Sequence, residues 1–390
     1  MSKRSIGVVT VARSDFGIYR SLLRAISDDP NVELRIYASG THLSEAFGET
    51  VREIEAAGYA VAERVPVLTG DDSPAGVAAA IARGVGSFAE IFARSAPDVL
   101  VVLGDRFDMF AAAVASIPFN IPLAHIHGGE VTEGAIDDGM RHAITKLAHL
   151  HFPAAEPFAA RLRQMGEEPW RITMVGAPAL DGLDEMKLMS RDELEKRFDI
   201  DLIDPPLLVT FHPVTRQPGD TEAQIAELLK ALEKSRSPII FTAPNADTHG
   251  QMVRKAIEAF IAREKRARLI ENFGQPGYFS MLTQAKAMVG NSSSGIIEAA
   301  SFHLPVVNVG DRQKGRAHGF NVIDCPCIAA EIEVAIREAT SRTFRREIAD
   351  RTNPYRPLNR DAAPVILEKL RTVPLVERLL IKRFIDLPAA

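Results

Sequence analysis

The chain of 390 residues holds only two cysteines, Cys325 and Cys327, one residue apart. That spacing is poor for a mutual disulfide, so no covalent staple is expected and the default reading is a reducing, cytoplasmic setting. Charge of one sign is also missing: 46 basic against 51 acidic side chains leave −5. No field is available to draw in nucleic acid or an anionic membrane, and neither is expected as a partner. No stretch approaches the ~20 apolar residues of a membrane span. Met1-Ser2-Lys3-Arg4 leads straight into a strand-like run, without the apolar region a secretory signal needs. A Walker-A sequence is absent, and no Gly-x-Gly-x-x-Gly follows the first strand, which disfavours a dinucleotide cofactor. Internal repeats and low-complexity segments are lacking as well.

What is there is organised around one stretch, Pro97 to Lys146. The run Val99 to Leu103 is short, continuous and β-branched, which reads as a fully buried parallel strand. It ends in Gly104-Asp105-Arg106, and a helical pattern starts at Phe107. A second buried strand, Ile121 to Ile126, ends in His127-Gly128-Gly129-Glu130. A loop with Glu133, Asp137 and Asp138 then leads into a helix carrying Arg141 and His142. In an open α/β sheet, ligands sit outside the carboxyl ends of the strands. Titratable groups crowd those ends here, which is an active-site layout.

The flanking sequence repeats the alternation. Strands are expected at Arg4–Val11, Val32–Ala38, Tyr59–Val65, His149–Pro153 and Arg171–Val175. Arg13 to Gly17 reads as a turn with capping residues before a helix to about Ser27, and Asp71-Asp72-Ser73-Pro74 cap a long helix to Arg94. From Gly176 to Pro206 the strand period lapses, as in a connection between domains. A second series follows at Leu207–Phe211, Pro238–Thr242, Ala267–Ile270, Ala287–Val289 and Val306–Val309. Helices fit Thr221–Lys234, Gly250–Arg263, Tyr278–Lys286 and Gly295–Phe302, and a helical tail runs from Pro364 to Ile385. The fold class is α/β, with doubly wound parallel sheets in two Rossmann-like domains. The expected domains are 1–178, joined by a C-terminal helix within 365–390, and 179–364.

Gly290-Asn291-Ser292-Ser293-Ser294-Gly295 lies between a strand and a helix, with Glu298 one turn further on. Small residues, free N–H groups and three hydroxyls make a phosphate cradle there, or an ordinary helix cap. Arg312 and Arg316 follow the next strand, and Arg13 follows the first strand of the other half, so a diphosphate could draw cations from both. Glu298 could accept ribose hydroxyls. His212 reads either as a cation-like phosphate ligand or as a solvated loop residue, and His42 carries the same two readings. His125 and His127 alternate along one strand, as do His149 and His151, but no third metal ligand has a workable spacing, so no metal is expected. His125 and His149 read as hydrogen-bonded core histidines, whereas His127 abuts two glycines where a substrate can approach. One of Asp137 and Asp138 is expected to cap the helix, the other to face a ligand. Both cysteines read as buried and inert.

The motifs match a known pattern in order. They are Arg13-Ser14-Asp15, Ser39-Gly40-Thr41-His42-Leu43, Gly104-Asp105-Arg106-Phe107, His127-Gly128-Gly129-Glu130, Asp137-Asp138, Arg141-His142-Ala143-Ile144-Thr145-Lys146, His212-Pro213-Val214-Thr215, Gly290 to Gly295 and Asp311-Arg312-Gln313. On these the chain resembles the hydrolysing UDP-N-acetylglucosamine 2-epimerases of sialic-acid-type synthesis, including the epimerase half of the bifunctional animal enzyme.

The resemblance implies a GT-B fold, a nucleotide sugar in the cleft between two domains, a homo-oligomer (dimer or tetramer), and no cofactor. It implies loss of the C2 proton with expulsion of UDP, then hydration of a glycal-like intermediate. The free 2-epimer released is N-acetylmannosamine when the substrate is UDP-N-acetylglucosamine. The related enzymes of legionaminic-acid synthesis use a 2,4-diacetamido-2,4,6-trideoxy sugar nucleotide, which is the alternative; a non-hydrolysing epimerase or a GT-B glycosyltransferase is a further one. Carried over by position, nucleotide contacts fall on Arg13, Arg106, His212, Asn245, Ser292, Ser293, Glu298 and Arg312. The same loops add Gly17 and His42. Acid/base groups fall on Asp105 and Asp137. A third family carboxylate falls on His127, so either His127 or Glu130 takes its part; His212 is added to this catalytic set.

Overall fold

The computed structural model describes residues 3–71, 73–132, 136–213, 220–243 and 250–386. It divides into two compact units, Met1–Gly182 with Tyr355–Ala390, and Leu183–Pro354. In the first unit the strands are β1 (Arg4–Thr10), β2 (Val32–Ser39), β3 (Val61–Val65), β4 (Val99–Leu103), β5 (Leu123–Ile126) and β6 (Leu150–Phe152). They form one parallel sheet in the order β3-β2-β1-β4-β5-β6. The helices that return the chain between them are α1 (Arg13–Asp28), α2 (Val51–Ala56), α3 (Pro74–Ser95), α4 (Phe107–Ser116), α5 (Ile136–Leu147) and α6 (Glu156–Gln164). Every residue of β4 is buried, which is why its sequence is a continuous apolar run rather than an alternating one. Strand order reverses between β1 and β4, and that switch point opens a crevice at their carboxyl ends.

The second unit repeats the plan. After α7 (Arg191–Phe198) come β7 (Leu207–Thr210), α8 (Thr221–Lys234), β8 (Ile239–Thr242), α9 (Gly250–Arg263) and β9 (Ala267–Ile270). Then follow α10 (Gly274–Gln284), β10 (Ala287–Gly290), α11 (Ser293–Ile297), β11 (Val306–Val309), β12 (Val322–Cys325), α12 (Ala329–Ala339) and α13 (Arg342–Ile348). The parallel order is β12-β11-β10-β7-β8-β9, so the switch point lies between β7 and β10.

The chain then returns to the first unit with α14 (Ala362–Thr372) and α15 (Glu377–Leu380). Ile366 and Leu370 of α14 are fully buried in the first core, where α14 packs on α1. Return begins at Tyr355, ten residues earlier than the sequence pattern suggests. The Tyr355 ring is buried 5.9 Å from that of Phe158, and its carbonyl accepts from the Ala177 N–H at 2.7 Å.

Four expectations need correction. Arg13 is already helical, because the Asp15 carboxylate accepts the N–H groups of Val11 and Ala12 at 3.2 and 3.1 Å and stops the chain there. Arg171–Val175 is not a strand: a single turn at Pro169–Arg171 leads to one isolated bridge between His151 and Ile172. The strand β12 went unseen because a short edge strand carrying Asp324 and ending at Pro326 has little apolar pattern. Finally, α3 is long and apolar enough to cross a membrane by length and composition. It carries Arg83, Glu90 and Arg94, however, and buries Ala80, Gly84, Phe88, Ile91 and Phe92. A Cβ on Gly84 would stand 2.8 Å from that of Ala111, so glycine lets α3 close on α4 as a core helix.

The C-terminal tail is held by one buried cation. Arg171, with no exposed surface, donates to the carbonyls of His149, Arg378, Leu379 and Ile381 at 2.8–3.1 Å. Beside it the buried Glu167 carboxylate meets Lys146 at 2.7 Å, Lys382 at 2.8 Å and His151 at 2.9 Å. Burial pushes Glu167 up, but bonds from His151, Lys146 and Lys382 outweigh it and hold the carboxyl at about 2. Folding thus favours the ionised form. The stabilisation is complete above the unfolded value of 4.5 and is lost as pH falls toward 2. A depression of this size is on the order of 3 kcal/mol. Glu167→Gln is expected to lower the melting temperature at pH 7 and to flatten its fall between pH 5 and 2, measured by thermal unfolding across pH.

Candidate active site

The tip of β4 turns at Gly104, whose φ of +70° suits glycine, and presents Asp105 and Arg106. The tip of β5 turns at His127 and Gly129, with φ of +62° and +81°. A Cβ on Gly129 would stand 2.5 Å from the Phe158 carbonyl, and one on Gly128 would stand 2.9 Å from the His125 ring, so both glycines are needed for this path.

Arg141, on α5, ties the two tips together. Its guanidinium is 5% exposed, forms an ion pair with Asp105, and donates to Thr132 Oγ1 at 3.1 Å and the His127 carbonyl at 3.2 Å. The terminal nitrogen that donates to the His127 carbonyl also stands 3.7 Å from Glu130 Oε2. Glu130 Oε1 in turn meets His127 Nδ1 at 2.5 Å. A buried cation of this kind must be paired, and here its described partners are the strand-tip groups and Thr132 of the loop beyond β5.

The carboxylates around this cluster differ in environment. Asp138 accepts the Thr132 N–H at 2.7 Å and so fixes the loop. Asp137 is half-buried; burial and the negative charge of Asp105 raise it above the usual carboxylate range, against the pull of Arg106 and Arg141. Arg106 is bonded through two nitrogens to Asp108, at 3.2 and 3.4 Å. Asp15 lies close by, pushed up to about 6 by burial.

In the second unit the cradle is built on Asn291. Its amide oxygen accepts the His212 N–H at 2.7 Å and its amide nitrogen donates to the His212 carbonyl at 2.8 Å. This double bond pair locks the tip of β7 to the tip of β10. Gly290 makes it possible: its φ is +136°, and a Cβ there would lie 1.9 Å from the Thr210 carbonyl. Arg312 and Gln313 both donate to the Asn291 carbonyl, at 3.0 and 2.8 Å. Ser292 caps α11 by accepting from the Ser294 N–H at 3.3 Å, and Tyr278 donates to Ser294 Oγ at 2.7 Å. Glu298 Oε2 is buried without a hydrogen-bond partner among the described residues, and burial raises its carboxyl. An unpartnered buried acceptor is what a pair of ribose hydroxyls would satisfy.

The expected site residues thus fall in two groups. Asp105, Arg106, His127, Glu130 and Asp137 come together in the first unit; His212, Ser292, Ser293, Glu298 and Arg312 cluster in the second. Arg13 and Gly17 lie exposed on α1, after β1, with Arg13 paired to Glu53 at 3.2 Å. Asn245 lies outside the described residues. Two readings change. His42 is fully buried, with its ring nitrogens 2.9 Å from Thr10 Oγ1 and 2.8 Å from Thr50 Oγ1; burial lowers it to about 4, so it is a structural residue with no nitrogen left for a ligand. His212 is lowered to about 4 by burial and by the Arg312 charge, so the ring of the unliganded protein is neutral rather than cationic at neutral pH.

His125 and His127 do not share a strand face, because β5 ends at Ile126 and His127 is left-handed. His125 is a core residue, bonded to the Gly104 carbonyl at 2.7 Å and lowered to about 3 by burial. His149 Nδ1 accepts the Leu123 N–H at 3.0 Å. Burial pushes the Cys325 and Cys327 thiols up to about 12 and about 11, which makes both poor nucleophiles. Arg141 and Asn291 were quoted in motifs without a role; their signal is position, one helical turn past Asp137 and first after β10.

The structure thus gathers titratable groups at the tips of β4 and β5 in the first unit and a Gly-Asn-Ser loop, tied to the tip of β7, before α11 in the second. The family model for UDP-N-acetylglucosamine 2-epimerase matches residues 24–371, and the chain belongs to that family. A relative from Campylobacter jejuni, named GDP/UDP-N,N'-diacetylbacillosamine 2-epimerase (hydrolyzing), is 36% identical over 348 residues, covering 89% of this chain and 90% of that one. A Legionella pneumophila protein named UDP-N,N'-diacetylbacillosamine 2-epimerase (hydrolyzing) is 38% identical over 339 residues, covering 87% and 89%. The crystal structure of UDP-GlcNAc 2-epimerase from Neisseria meningitidis bound to UDP-GlcNAc superposes with a TM-score of 0.79 at 17% identity, covering 94% of this chain and 99% of that one. That likeness shows the fold: the two sheets are the Rossmann-like halves of a GT-B protein.

Asn291→Ala removes both bonds to the His212 backbone and leaves a buried N–H and C=O unpaired. The expected cost is about 2–4 kcal/mol, read by urea unfolding, with a loss of UDP affinity by calorimetry.

Proposed function

We propose that the protein is a hydrolysing 2-epimerase of a nucleotide-linked 2,4-diacetamido-2,4,6-trideoxy sugar, diacetylbacillosamine, carried on UDP or GDP. The second unit holds the nucleotide and the first carries the chemistry. The observation that carries this reading is Arg141, which gathers Asp105, Glu130 and the His127 backbone at adjacent strand tips. The sugar is argued from the two relatives at 36% and 38% identity, both named for diacetylbacillosamine. The reading from the motifs, UDP-N-acetylglucosamine giving N-acetylmannosamine, draws support from the name of the family model.

The chemistry follows from the groups. A hydrogen at C2 is weakly acidic, so its removal needs a positioned base and a stabilised leaving group. As the base takes the proton, the electron pair forms the C1=C2 bond, and the C1–O bond breaks with its pair on the diphosphate. The Ser292–Ser294 N–H groups and Arg312 receive that charge. Water then adds at C1 while C2 is protonated on the opposite face, which releases the free 2-epimer. Asp105 and Asp137 serve as acid/base groups at the sugar; Asp137, the one raised above the usual range, is suited to donate.

A panel of UDP- and GDP-linked amino sugars in heavy water tests substrate and outcome together. UDP or GDP and a free sugar bearing deuterium at C2 is the expected result; a recovered nucleotide-linked epimer would instead indicate a non-hydrolysing enzyme. Asp105→Asn and Asp137→Asn are each expected to cut kcat at least ~100-fold with UDP affinity little changed. Arg312→Ala is expected to weaken UDP binding about tenfold or more, since a charge-assisted phosphate contact is lost.

A further inference from the structure

The reaction just described moves protons three times: off C2, onto C2 from the other face, and off the attacking water. Asp105 and Asp137 can account for two of these events. Neither carboxylate has been assigned the C2 proton, and we propose that the group that takes it is His127, with Glu130 as its positioning residue. This inference rests on the hydrolysing 2-epimerase reading and names the group that takes the C2 proton.

Four observations support it. The Glu130 carboxylate meets His127 Nδ1 at 2.5 Å, so Nδ1 carries the hydrogen and Nε2 carries the lone pair. Among the described residues no hydrogen bond is made to Nε2, and the side chain is 12% exposed. His127 adopts a φ of +62°, which costs a residue other than glycine free energy. Two glycines follow it directly, and a third glycine would serve the backbone better here; the imidazole stands at this turn at a conformational cost. Lastly, the pair is anchored from a second element: Arg141 donates to the His127 carbonyl at 3.2 Å and stands 3.7 Å from Glu130 Oε2.

The step is then defined. Nε2 takes the C2 proton and becomes an imidazolium that faces the Glu130 carboxylate. The C2 electron pair closes the C1=C2 bond, and the diphosphate leaves with the C1–O pair. The charged and titratable groups around His127 are Glu130 on its own loop, Arg141 on α5, Asp105 beyond Arg141 at the tip of β4, and His125 on β5. Among the described residues Glu130 is the one hydrogen-bonded to the ring, so its loss is the change the imidazolium would feel most.

The test compares three variants with the wild type on the full nucleotide sugar and on the 1,2-unsaturated sugar supplied with UDP. His127→Asn keeps a side chain that tolerates a left-handed backbone but cannot accept the proton. It is expected to lose at least ~100-fold in kcat, to keep UDP affinity within about twofold, and to go on hydrating the unsaturated sugar. Glu130→Gln is expected to lower kcat with KM little changed and to move the acid limb of kcat to lower pH, since the imidazolium loses its counter-charge; Glu130→Asp should restore part of the rate. A His127→Asn enzyme with near wild-type kcat, or one that loses hydration of the unsaturated sugar as completely as the whole reaction, overturns the assignment. Wild-type protein that releases no free sugar from any nucleotide sugar overturns the parent reading, and the assignment with it.

Discussion

The first unit depends on a buried guanidinium. Arg141 sits almost wholly out of solvent, and an unpaired cation there would cost several kcal/mol. Its charge can be met only if Asp105, Thr132, Glu130 and the His127 carbonyl all stand where they do. The sheet brings β4 and β5 side by side, but a sheet sets only where strands end. The cation makes the loops beyond those ends converge, and it does so with groups that also face the proposed substrate. Structural satisfaction and chemical arrangement are therefore one requirement at this tip.

The second unit solves the same problem with a neutral group. Parallel sheets leave the last carbonyls and N–H groups of each strand without ladder partners, and these must be paired where they are buried. Asn291 pairs both backbone groups of His212 across the switch point, while Arg312 and Gln313 satisfy its own carbonyl. The backbone of this loop is thereby fixed by the protein's own bonds, and a ligand bound there would have little ordering left to supply. A positive-φ glycine at the end of β10 is the local condition for it, because no side chain fits beside the Thr210 carbonyl.

Much of the fold was legible because its signals are local. Fully buried strands read as apolar runs, and α8 and α9 were bounded as found because their apolar period and flanking residues agree. The candidate groups Asp105, His127 and Glu130 were legible for the same reason, since each follows directly on such a run. What was not legible depends on how elements turn toward one another. The role of Arg141 requires knowing which face of α5 meets two strand tips. The closed environment of His42 is made by Thr10 and Thr50, one 32 residues before it in sequence and the other 8 residues after it. The neutral state of His212 comes from burial and from a charge a hundred residues on. The false strand after Pro169 shows the converse: Ile172 and Val175 have strand propensity, but Arg171 is committed to the distant tail.

The return of the chain to its first unit bears on biosynthesis. Helix α14 and the segment clasped by Arg171 are translated after the whole second unit, yet they complete a core begun at β1. The second unit, by contrast, is continuous from Leu183 to Pro354 and can assemble while its partner still lacks a wall. The unit that is begun first is the one that closes later, and a nascent chain halted before α14 exposes the apolar face of α1 that Ile366 and Leu370 would otherwise cover.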